Sequence, residues 1–139
     1  MRYNLNLAVG LLFGIALAAS TLFSQASKAA KPSFEVASVK RNAYGAYPGW
    51  ISPQRDRFTA FNITLTTLVQ FAYHQPADQK GVQVLGASGW MDSEHYDIEA
   101  KPEAASRVDE MRLMLQSLLE DRFQLRLHRE TREFPGVWL

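Results

Sequence analysis

Residues 57–73 read Arg57-Phe58-Thr59-Ala60-Phe61-Asn62-Ile63-Thr64-Leu65-Thr66-Thr67-Leu68-Val69-Gln70-Phe71-Ala72-Tyr73, and this run decides the fold class. Phe58 and Ala60, with the β-branched Thr59 and Ile63, predict a strand from Arg57 to Ile63. From Thr64 the period changes. Leu65, Leu68, Val69 and Ala72 fall at i, i+3, i+4 and i+7, one apolar stripe of a helix. Thr64 is placed to cap that helix, because its hydroxyl can accept an orphan N–H of the first turn. The helix should end near Tyr73-His74, ahead of Gln75-Pro76. A connection as short as Phe61 to Thr64 leaves no room for a parallel crossover, so the helices must cover a largely antiparallel sheet.

Outward from this run the pattern continues on both sides. Phe34, Val36 and Ser38 alternate with Glu35, Ala37 and Val39, a strand before Lys40-Arg41-Asn42. Residues 44–54 hold two Gly and two Pro with Tyr44, Tyr47 and Trp50, and read as an aromatic-bearing loop. Residues 75–94 read as a second loop, with a short strand at Val82–Val84 and a Gly86-Ala87-Ser88-Gly89-Trp90 closure. Tyr96, Ile98 and Ala100 form a third strand that ends at Pro102. Ser106 with Asp109 resembles a capping box, and Val108, Met111, Leu115, Leu118 and Leu119 line one face of a second helix. Phe123, Leu125 and Leu127 then return to period two, and Val137 to Leu139 offers a further strand. The expected fold is α+β: two helices on a small, mainly antiparallel sheet, in the order β-β-α-β-α-β.

Ahead of this domain stands an address. Leu7 to Phe23 are 17 residues without a charge, preceded by Arg2 and followed by Ser24-Gln25-Ala26 and Ser27-Lys28-Ala29. That is the order of a secretory signal peptide with a small-x-small cleavage site. At 1.5 Å per residue the run spans about 25 Å, short of the ~30 Å hydrocarbon core, which disfavours a retained anchor. The expected organisation is a signal peptide over 1–26, a tether over 27–33 and a single domain over 34–139. Membrane contact is expected only through the signal segment, and only if it stays uncleaved. Export places the mature chain in the periplasm or outside the cell.

Composition narrows the function. Of 139 residues, 47% are hydrophobic and 21% charged, which argues against disorder and coiled coil. Removing residues 1–26 takes Arg2 and no acid, so 113 residues remain with 14 basic and 14 acidic side chains. A neutral mature chain has no electrostatic reason to take nucleic acid as a partner. The absence of Cys excludes disulfides, thiolate metal sites, a cysteine nucleophile and N-terminal lipidation.

Catalytic motifs are missing too. The chain has no H-E-x-x-H, P-loop, G-x-G-x-x-G or G-x-S-x-G, and Gly86-Ala87-Ser88-Gly89 lacks the setting of a nucleophile elbow. His74, His95 and His128 lie in three separate segments without ligand spacing. His128 and Glu130 would share a strand face, and Asp92, Glu94 and Asp97 flank His95, so a hydrolase stays open as the competing class. Arg122, Arg126, Arg129 and Arg132 alternate with Asp121, Glu130 and Glu133, a mixed-sign set that suits surface ion pairs better than a phosphate track. Asn62-Ile63-Thr64 matches a glycosylation acceptor but equally a strand-to-helix cap. Tyr47, Trp50 and Trp90 could stack on a sugar or peptide, or plug the core edge.

Several runs together resemble one family, the exported soil-associated proteins of Acidobacteria-type bacteria that contain a domain of unknown function. The matching stretches are Phe34-Glu35-Val36-Ala37-Ser38-Val39-Lys40, residues 57–65 as quoted above, Ala72-Tyr73, Trp90, Ser93-Glu94 and Tyr96-Asp97-Ile98-Glu99-Ala100-Lys101. The longest is Met114-Leu115-Gln116-Ser117-Leu118-Leu119-Glu120-Asp121-Arg122-Phe123, followed by Leu125 and by His128-Arg129-Glu130-Thr131-Arg132-Glu133. The resemblance covers nearly everything after the signal and carries no assigned activity, substrate or catalytic residue. Some relatives look linked to membrane metallopeptidase sensors, which implies an envelope sensing or interaction role. Family members continue into a second half of comparable size, so this chain resembles the N-terminal part and is expected to be truncated at its C-terminal end.

The reading is therefore an exported, non-enzymatic binding or interaction domain, with no cofactor and no metal. Its partner is an envelope protein or small ligand, met through Tyr47, Trp50, Trp90, His128 and Arg129. Two alternatives stand beside it. One is an exported hydrolase using His128 or His95 with nearby carboxylates and a metal; the other is a fragment without independent function.

Overall fold

A computed structural model of the chain describes residues 30–43, 47–76 and 81–130. The signal peptide expected over 1–26 and the strand expected at Val137–Leu139 lie outside the described residues. In chain order the elements are β1 (Val36–Asn42), β2 (Trp50–Gln54), β3 (Arg57–Thr64), α1 (Leu65–Tyr73), α2 (Trp90–Ser93), β4 (His95–Lys101) and α3 (Val108–Phe123). The four strands form one antiparallel sheet in the order β1-β4-β3-β2, so the fold is α+β.

The 57–73 run behaves as its pattern dictates. β3 is a central strand, and Thr64 accepts the Thr67 backbone N–H at 3.3 Å to start α1 directly behind it. One face of the sheet is apolar because side chains alternate. Phe58 and Ala60 of β3 stand opposite Ala100 and Ile98 of β4, and all four are buried. Leu65, Leu68, Val69 and Ala72 of α1, with Met111, Leu115, Leu118 and Leu119 of α3, close over them in a single core that also takes Met91 of α2. Each large side chain so buried contributes about 1.5–3 kcal/mol, enough for a domain of this size to fold without disulfides.

Four local expectations are corrected. Residues 50–54 are a strand rather than loop: a two-residue turn at Arg55-Asp56 folds them onto β3, and Pro53 is tolerated because β2 is outermost among the described strands. Val82–Val84 do not join the sheet, although Val84 packs on the core. α3 is capped one residue later than expected, with the Glu110 carboxylate accepting the Arg107 backbone N–H at 2.8 Å, while the Ser106 hydroxyl donates to the Ala104 carbonyl. Phe123 ends α3, and residues 124–130 run on without strand pairing. Gln124 stops the helix with a left-handed backbone, φ 53°. Leu125 and Leu127 still reach the core, so their period of two reflects alternating burial without a ladder.

Among the described residues no helix is long and apolar enough to cross a membrane.

Candidate functional site

The sheet face away from the helices carries the largest exposed rings of the strands. Trp50 stands directly opposite Phe61, and because Ala60 points into the core, this pair points outward. The rings stack with centroids 6.1 Å apart and planes 24° from parallel. Trp50 keeps 49% of its surface exposed and Tyr47, three residues before it, 68%. One row along the strands Ser52 faces Thr59, and Thr59 faces Glu99. The surface is thus an indole platform bordered by hydroxyls and a carboxylate, beside β2, the outermost strand among the described residues.

Beneath the platform lies a buried polar knot. Between Ala60 and Ile63 the pairing of β3 with β4 slips by one residue, a bulge in which Asn62 takes a left-handed φ of 52°. Asn and Asp tolerate that conformation better than other side-chain-bearing residues. The Asn62 backbone N–H donates to Asp97 Oδ1 at 2.8 Å, and Asn42 Nδ2 donates to the same oxygen at 2.7 Å. The Asn62 amide donates in turn to the Tyr47 carbonyl. Asn42 and Asn62 are both buried, so these bonds form where water competes poorly. Gly49 packs against the same bulge: a Cβ there would sit 2.7 Å from the Phe61 carbonyl oxygen and would overlap the Asn62 carbonyl.

The five residues singled out from the sequence do not form one site. Tyr47 and Trp50 flank the bulge, whereas Trp90 opens α2, partly exposed, and no ring contact joins it to Trp50. His128 and Arg129 are exposed beyond α3, where the Arg129 guanidinium donates to the Tyr73 carbonyl at the end of α1. His95 opens β4 with Nδ1 3.2 Å from the Ser93 carbonyl oxygen. Among the described residues no group of three or more His, Asp or Glu side chains is arranged to hold a metal. Arg122 meets the Ala37 carbonyl at 3.1 Å, so at this position the expected surface ion pair is replaced by a cap on the β1 edge.

Two other features carry polar groups. An open groove of about 430 Å³ runs between α1 and α3, lined by Gln70, Phe71, His74, Gly81, Val82 and Arg112. Arg112 lies over the Phe71 ring, 5.0 Å from its centroid, and is paired with Asp109 at 3.1 Å. Next to the knot, where Tyr96 pairs with Ile63 and Arg41, the Tyr96 phenol donates to Glu94 at 2.8 Å, and Glu94 also meets Arg41 at 2.9 Å. Burial, followed by the bond to Glu94, holds the Tyr96 phenol above the usual tyrosine range.

Asn42, Asn62 and Asp97 were not legible as a set. The signal for them is the apolar spacing itself: Phe58 and Ala60 keep a period of two, while Ile63 falls one residue late. A one-residue slip inside a strand marks a bulge, and Asn62 sits in it. Its burial also resolves the glycosylation motif, since an amide closed inside the fold cannot carry a glycan there.

A family model described as a protein of unknown function (DUF3738) matches residues 66–139, from the first turn of α1 onward. No curated protein and no solved structure matches the chain.

Proposed function

We propose, from the premise that the chain belongs to the DUF3738 family of proteins of unknown function, that it is an exported, non-enzymatic binding domain of the cell envelope. Its contact surface is the Tyr47–Trp50 edge of the helix-free sheet face. The observation that carries the reading is the half-exposed Trp50, its ring beside that of Phe61 with the Ser52 and Thr59 hydroxyls one row along. A fixed aromatic ring next to hydrogen-bonding groups of no dominant charge suits a neutral ring with apolar faces and a hydroxyl rim, which is the chemistry of a saccharide. Export, read from residues 1–26, makes envelope saccharides the relevant class.

The test is a titration of residues 27–139 with N-acetylglucosamine oligomers and soluble muropeptides, read by tryptophan fluorescence and calorimetry. Trp50→Ala should weaken binding at least tenfold, about 1.4 kcal/mol, while Trp90→Ala leaves it unchanged. Saturable saccharide binding untouched by Trp50→Ala would move the site elsewhere. No saccharide binding, with a defined envelope protein bound through Trp50 instead, would replace the ligand class. The hydrolase alternative would need His95 to act through Nε2, since its Nδ1 lies 3.2 Å from the Ser93 carbonyl oxygen.

A further inference from the structure

We infer that Asn62 and Asp97 are positioning residues that hold Tyr47 and Trp50 in place, an inference that rests on reading those rings as the binding surface. Three independent contacts converge on one bulge. The Asn62 side chain reaches backward to the Tyr47 carbonyl, and its backbone N–H reaches sideways to Asp97 on β4. The Gly49 backbone then lies so close to the carbonyls of Phe61 and Asn62 that no side chain fits between them. Tyr47 and Gly49 are therefore fastened on either side of Pro48, and the next residue, Trp50, comes to rest beside Phe61. The fastening begins at β4, a central strand, so the ring position on β2 is referred to the most firmly paired part of the domain.

The arrangement explains an otherwise costly choice. An asparagine at φ 52° inside a central strand breaks the ladder and leaves its Oδ1 buried without a partner. A buried polar atom left without a partner is destabilising, because it has lost its bond to water and gained none in the fold. A glycine would satisfy the backbone at lower strain but would forfeit the amide bond to Tyr47. What Asn62 supplies beyond glycine is the hold on the aromatic segment. A binding surface made of a short strand and its lead-in needs such a hold, because freely moving rings lose affinity to the entropy of ordering them.

Asn62→Gly isolates this role, since it keeps the left-handed backbone accessible and removes only the side chain. In nuclear magnetic resonance spectra of residues 27–139, the Trp50 indole N–H should shift and broaden, and the nuclear Overhauser contacts between the Trp50 and Phe61 rings should vanish. Contacts across β3 and β4 between Ala60 and Ile98 should stay. Affinity for the N-acetylglucosamine oligomer or muropeptide that binds the parent should fall at least fivefold, with cooperative unfolding retained. Asp97→Asn, which keeps one acceptor oxygen, should give a smaller change of the same kind. Unaltered Trp50–Phe61 contacts in Asn62→Gly would overturn the inference whatever the ligand proves to be. Lost ring contacts with no saccharide bound by the parent would leave the positioning role standing and refute the binding reading alone.

Discussion

Replacing Asp97 by alanine tests the knot at its centre. One carboxylate oxygen takes two donors, the Asn42 amide at 2.7 Å and the Asn62 backbone N–H at 2.8 Å. Asn62 is 3% exposed and Asn42 8%, so water cannot readily replace the lost acceptor. Each buried donor left without that acceptor costs about 1–3 kcal/mol, more where the lost partner was charged. The sum for Asp97→Ala is roughly 2–6 kcal/mol, a large share of the 5–15 kcal/mol typical of a domain. Asp97→Asn keeps an acceptor oxygen and should cost about half as much. Urea unfolding of residues 27–139 measures this directly, since a slope of about 1–3 kcal/mol/M turns the loss into a midpoint shift of order 1 M or more. A loss below about 0.5 kcal/mol for Asp97→Ala would refute the reasoning, because that is the range of an ordinary surface substitution.

Two further outcomes follow from the core and from Tyr96. Leu115→Ala, at a position with no exposed surface, should cost about 2–5 kcal/mol in the same unfolding assay, whereas Leu113→Ala two residues away, 47% exposed, should stay within about 0.5 kcal/mol. Because the neutral Tyr96 phenol is favoured in the fold, the unfolded state loses its proton first as pH rises. The Tyr96 contribution is therefore fully present below the ordinary tyrosine range and is lost as pH climbs through the raised value; Tyr96→Phe should flatten that alkaline fall in stability, as followed by thermal melts between neutral pH and pH about 11.

Much of the architecture was legible because it rests on burial, which periodicity reports. The switch from alternation to a 3.6-residue stripe at Thr64 located β3, its cap and α1, and the Leu115-Leu118-Leu119 stripe located α3. Where the same signal misled, the cause was equally physical. Leu125 and Leu127 alternate in burial without pairing to a strand among the described residues, and β2 was hidden by Gly49 and Pro53, which punctuate loops and edge strands alike. For the candidate site the sequence shows residue types but not their surfaces: Tyr47 and Trp50 lie together at β2, whereas Trp90 opens α2 and His128 and Arg129 follow α3.

The sequence by itself determined the fold class, the core face of each main element, the near balance of 15 basic and 14 acidic side chains and the absence of thiols, since each follows from local pattern or from counting. Only the tertiary structure decided which exposed residues share a surface. Asn42, Asn62 and Asp97 lie on three strands, and their hydrogen bonds exist because a one-residue slip turns Asn62 toward β4 and toward Tyr47 at once. No spacing along the chain encodes that meeting, because it depends on strand order β1-β4-β3-β2, which brings residues up to 55 positions apart into hydrogen-bonding distance.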